Sequence, residues 1–160
     1  MRFPGAAHTG RKTNDRVVMK SPSPIWAAIA VIVARLIFVA VFGMATAFKF
    51  AGIHNTASFI AAAGFPFALF LAWIAAFFEL ALVLCFLSGA FFTEASLAAA
   101  AYVVFLGFSF HGPSHWSGNQ AEFGSFVDHF TFLAGLLFAA VNGPGDVLVL
   151  RRARNGWRAH

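Results

Sequence analysis

Apolar residues run almost unbroken through positions 25–51, with only Arg35 and Lys49 inside the run. Three further apolar runs follow at about 66–87, 94–110 and 125–141, each bounded by glycine, proline or polar residues. A bilayer core takes roughly 20 helical residues to cross, so the pattern predicts four transmembrane helices. Ser23-Pro24 supplies an N-cap and first helical position for the first span, and Gly52-Ile53-His54-Asn55 breaks it. Residues 56–63 read as a short interfacial helix before Gly64-Phe65-Pro66 sets the second span, 66–87, which stops at Ser88-Gly89. Thr93 is the predicted cap of the third span, from Glu94 to Phe110, closed by His111-Gly112-Pro113. After a polar loop, Ser125 and Asp128 form the pattern of a capping box opening the fourth span, and Asn142-Gly143-Pro144-Gly145 ends it.

Composition agrees with the pattern. The chain is 60% hydrophobic and 11% charged, against about 25% charged residues in soluble domains. Nine of its eleven Lys and Arg lie at positions 1–24 or 151–158, flanking the spans instead of gathering on a folded face. That distribution argues against a nucleic-acid groove despite the net charge of +5. The fold expected is an all-α, antiparallel four-helix membrane bundle at 25–146, between a disordered basic tail at 1–24 and a basic tail at 147–160. Four spans put both ends on one side, and the positive-inside rule makes that side the cytoplasm. The loops at 52–65 and 111–124 then face outward. The first 24 residues are polar and do not read as a signal peptide. Cys85 stands alone, which excludes thiol-relay chemistry and all-thiolate metal or iron-sulfur sites.

Charges within the spans carry the candidate chemistry. Arg35 lies ten residues past Ile25, and Glu79 lies nine before Ser88 on an antiparallel helix. At ~1.5 Å per residue the two sit at one depth, and an isolated charge there is costly, so an Arg35–Glu79 ion pair is predicted. Phe42, Thr46 and Lys49 share the helical face of Arg35, while Ala68, Ala72, Ala75 and Ala76 share that of Glu79. On the fourth span Gly135, Ala139 and Asn142 follow Asp128 in phase, so Asp128 too is expected to point inward. Lys49, His54, His111, His115, Glu122, Asp128 and His129 all fall near the outer boundary, where a polar pocket is expected. Competing readings are a Lys49 that snorkels, an Asp128 that only caps its helix, and solvated loop histidines. His111, His115 and His129 are imidazoles of the kind that bind metals or haem, but Gly112 and Pro113 break the one-turn spacing of the first two, and no metal site is assigned. Trp116 reads as an interfacial anchor.

In their order along the chain, Arg35, Phe42-Gly43, Lys49-Phe50-Ala51-Gly52, Gly64-Phe65-Pro66, Glu79-Leu80, Gly89, Thr93, His111 and Gly143-Pro144-Gly145 resemble the DoxX family over about residues 33–146. The resemblance implies a bacterial four-helix inner-membrane protein associated with quinol oxidation and thiosulfate:quinone oxidoreduction, with Arg35, Lys49 and Glu79 as its polar core. After Gly145 many members continue toward Ser-Leu-Asp, where this chain has Asp146-Val147-Leu148. The function expected is an accessory or ligand-binding subunit of a quinone-linked membrane oxidoreductase system. In it Glu79 and Arg35 would act as catalytic groups and Lys49, His111, Asp128 and His129 as ligand-binding groups. Quinone is the cofactor this suggests, and the lipid bilayer, redox-complex subunits or further copies of the chain are its expected neighbours. The alternative is a non-enzymatic scaffold, sensor or small-solute transport module, in which the buried pair fixes the fold and a phenylalanine-rich surface recruits a neighbour.

Overall fold

The computed structural model describes residues 24–145 and Val149. The predicted tails fall, but for Pro24 and Val149, outside them. The described residues form α1 (Pro24–Ala51), α2 (Ile53–Ala62), α3 (Ala68–Ser88), α4 (Phe92–His111), a short 3₁₀ turn at Pro113–His115 and α5 (Gln120–Asn142). All but α2 and the 3₁₀ turn are long and apolar enough to cross a membrane, and the chain is an all-α, multi-pass membrane bundle. Large apolar side chains such as Ile25, Leu36, Phe70, Phe108 and Phe138 cover its outside, where lipid is their natural solvent.

Three helix starts differ from expectation. α2 begins at Ile53 and not at 56, so the residues read as a break after Gly52 are already helical. α5 begins at Gln120, where the Asn119 side chain accepts from the Glu122 backbone N–H at 3.4 Å, so Ser125 and Asp128 lie inside the helix and cap nothing. Asn119 precedes Glu122 by three positions, an equally good capping spacing one turn and a half upstream. α4 begins at Phe92 behind a left-handed Phe91 and lacks a side-chain cap. Thr93 instead donates to the Ala140 carbonyl at 3.3 Å and ties α4 to the end of α5.

α1 packs along α3, and α4 along α5, while α1 and α5 meet through Phe38 and Phe42 against Phe132. Between apolar helices in lipid, close van der Waals fit replaces hydrophobic burial as the source of affinity. On α4 that fit comes from a buried stripe at Ser96, Ala99, Ala100, Val103 and Gly107. At Gly107 α4 comes close to a histidine of α5. A Cβ there would stand 3.3 Å from the His129 Cβ, so a larger residue would displace α5 at that histidine.

The end of the bundle near the 89–91 hairpin is filled with rings. Phe86 is fully buried and meets Phe38, Phe42 and Phe92 at centroid separations of 5.2, 5.8 and 5.5 Å. Lys49 reaches Glu79 and Phe50 meets Phe77, so the register of α1 on α3 sets Arg35 opposite the last turn of α3. The predicted equal depth of Arg35 and Glu79 assumed that α1 and α3 end in one plane at Ile25 and Ser88. Arg35 instead meets the last turn of α3 at Phe86 and Leu87, so the turns of α1 before it run on past the end of α3.

Candidate functional site

Each cation on α1 does face inward, as its phase requires: Arg35 and Thr46 are buried and Lys49 is half-buried. They take different partners. Arg35 donates from Nε to the Phe86 carbonyl at 3.2 Å, from Nη2 to that of Leu87 at 2.9 Å and from Nη1 to that of Pro144 at 3.4 Å. It therefore gathers orphan carbonyls at the C-terminus of α3 and the segment after α5, a positive charge where the helix dipole is negative. Gly89 permits this approach. Its φ of +70° closes α3 with a left-handed turn, and an added Cβ would stand 3.3 Å from Arg35 Nη2.

The predicted Arg35–Glu79 pair is thus replaced by another. Lys49 Nζ donates to both Glu79 carboxylate oxygens, at 2.8 and 2.9 Å, and the Tyr102 hydroxyl donates to Oε1 at 2.8 Å. Glu79 is 2% exposed, and Ala72 and Ala76 on its face are wholly buried. Burying a carboxylate is tolerable only when charge and hydrogen-bond partners accompany it, and here three donor contacts do so. Tyr102, the only tyrosine of the chain, was missed in the sequence reading. A lone phenol in an alanine-rich span was the available signal, since a buried hydroxyl requires a partner.

Above this triad, at the end closed by α2, the helices part around a cavity of about 870 Å³. Its volume falls in the range of small-molecule sites, roughly 300–1,000 Å³. Aromatic and aliphatic side chains make most of its wall, among them Phe59 of α2, Phe78 of α3 and Phe105 of α4. Lys49 and Tyr102 provide polar lining on one part, and His111 and His129 on another. Asn55, in the segment expected to break the first span, and Thr56, at the start of the expected interfacial helix, complete the polar lining.

The two histidine rings lie with centroids 5.1 Å apart. His111 Nδ1 is 2.6 Å from Glu122 Oε2, and His129 Nδ1 is 2.7 Å from the Ser125 carbonyl oxygen. Trp116 has a more specific role than anchoring: its Nε1 donates to the His111 carbonyl at 2.8 Å, and its ring packs edge-on against Phe123 and Phe126. It closes the end of α4 and holds the His111 turn against α5.

Of the predicted ligand-binding residues, Lys49, His111 and His129 line this one cavity. Asp128 does not. It is exposed, because α5 turns inward through His129 and the fully buried Leu136, and the preceding residue is about 100° away around the helix. Of the residues predicted as catalytic, Glu79 stands behind the cavity wall and Arg35 at the opposite end of the bundle. His54 and His115 are exposed. The described residues bring no three His, Cys, Asp or Glu side chains into an arrangement that could hold a metal ion. No protein-family model, curated protein or solved structure matches the chain.

Proposed function

We propose that this is a DoxX-like integral membrane protein that binds a lipophilic, redox-active ring compound of the quinone class, as an accessory or ligand-binding subunit of a membrane oxidoreductase system. The observation that carries the reading is a large, aromatic-walled cavity with Lys49 and Tyr102, both bonded to the Glu79 carboxylate behind the wall, on one part of its lining and two imidazoles on another. Such a cavity suits a ligand with an apolar body and polar ring substituents, since apolar walls supply contact area and a few fixed polar groups supply orientation. Lys49 would offer its ammonium to a ring oxygen, and Glu79 would hold Lys49 in place. When bound, a quinone supplies two-electron, two-proton chemistry that the protein's own side chains lack.

The basic ends further suggest a bacterial cytoplasmic membrane with both termini in the cytoplasm, which would put α2 and the cavity at the outer side. Arg35 belongs to neither binding nor proton handling in this reading. Its contacts to the Phe86, Leu87 and Pro144 carbonyls serve the fold.

Protein purified in mild detergent and measured intact by native mass spectrometry, with organic extraction of what it retains, tests the proposal. The expected result is a retained quinone whose occupancy falls at least about tenfold in Lys49→Met, the loss of one charge-assisted contact. Failure to retain or rebind any quinone, together with unchanged respiratory electron flux on deletion of the gene, would remove it.

A further inference from the structure

We infer that the His111–His129 part of the cavity selects ligands that donate a hydrogen bond, an aryl hydroxyl in preference to a carbonyl or an ether. This deepens the proposed function and rests on it, because it specifies which protonation and redox form of the ring compound the cavity holds best.

The inference comes from the hydrogen bonds already made by the two rings. A carboxylate oxygen accepts and a backbone carbonyl accepts, so the short contacts to Glu122 and Ser125 both require a proton on Nδ1. A neutral imidazole with its proton on Nδ1 has a bare lone pair on Nε2. In the neutral form both rings are therefore held in the same tautomer, each by a partner that can only accept. Neither Nε2 has a partner among the described residues. The buried side-chain polar atom left unpartnered there is Thr46 Oγ1, so both Nε2 atoms remain open, and both rings line the cavity. Two acceptors on rings whose centroids lie 5.1 Å apart leave a ligand carbonyl with nothing to meet and a ligand hydroxyl with a choice of two lone pairs. At the Lys49 part of the lining the preference runs the other way, since an ammonium donates.

The tautomer is also set in depth. Glu122 sits in the first turn of α5, where the helix dipole favours its negative charge, and Asn119 caps that turn. Gly107 brings α4 close to His129, and Trp116 secures the His111 carbonyl. The arrangement thus spends three elements on presenting two lone pairs.

Binding of three matched probes to the full-length protein in lipid nanodiscs under anaerobic conditions tests this: a decyl hydroquinone, its dimethyl ether and the decyl quinone. The hydroquinone is expected to bind about 10- to 100-fold more tightly than the ether, as when a site built to accept from a hydroxyl meets an analogue lacking it. It should also exceed the quinone by about tenfold. In His129→Phe the preference should shrink to within about threefold. Glu122→Gln provides a second variant that leaves the imidazoles in place: its amide can donate as well as accept, so the tautomer is no longer imposed and the preference should fall by several fold. Equal affinity for all three probes overturns the inference while leaving the proposed function intact. A hydroquinone preference that survives both substitutions also overturns it, since the selectivity would then come from elsewhere. Binding of none of the three overturns the proposed function itself.

Discussion

The two ends of this bundle are built from the same four helices and opposite principles. Near the 89–91 hairpin, Phe38, Phe42, Phe86 and Phe92 fill the space between the helices, and Arg35 joins the end of α3 to the segment after α5 through backbone carbonyls. Near α2 the same helices part around a cavity, and Lys49, Glu79 and Tyr102 form a cluster at its wall. Both ends bury a charge from α1, yet among the described residues one charge meets backbone carbonyls and the other a side-chain network. A buried charge thus says little about function until its partners are known. Carbonyl partners at a helix end suit a structural pin, whereas a carboxylate and a phenol beside a cavity form a set that a ligand can address.

Substitutions can break this contrast in graded steps. Phe86→Ala should have the largest effect on the packed end, a loss of about 3–5 kcal/mol, because a fully buried ring leaves a void that phenylalanine neighbours cannot close. Thermal unfolding in detergent should show it, and quinone affinity per folded molecule should not change. Glu79→Gln should cost toward the lower part of the ~3–5 kcal/mol typical of a broken buried pair, since Lys49 retains some access to the cavity. Unlike Phe86→Ala it should also weaken ligand binding. The double substitution Lys49→Met with Glu79→Leu is expected to regain most of the stability and none of the binding. A double variant that binds as well as the natural protein would show that the cluster is only structural.

Arg35→Met should lose about 1.5–3 kcal/mol, the scale of a hydrogen bond to a charged group, with ligand occupancy retained. Loss of binding without loss of stability would return Arg35 to the site and collapse the distinction between the two ends. Thr46→Val should be the smallest change, within about 1 kcal/mol and in the stabilising direction, because its buried hydroxyl has no partner to lose. Marked destabilisation would reveal an interaction made by that hydroxyl.

Much of the fold was legible along the chain, and part of the site was too. Lys49, His111 and His129 were singled out from their place at span boundaries and do share a cavity. Tyr102 escaped notice because its meaning lies wholly in a carboxylate 23 positions away. Asp128 is exposed at the edge of the inward face of α5: Gly135 and Ala139, in phase with it, still touch the core, but the fully buried Leu136 that centres that face lies about 80° around the helix.

Hydrophobic periodicity is a local property, so the sequence by itself determined that four helices cross the membrane and that Arg35, Thr46 and Lys49 turn inward together. Which carboxylate, carbonyl or ring each of them meets depends on how far one helix slides along another. That sliding is decided by the interlocking of side chains such as Phe42 with Phe86, and no single helix contains the information. The tertiary structure alone therefore joined Glu79 to Lys49, sent Arg35 to the carbonyls, and brought His111 and His129 to one wall.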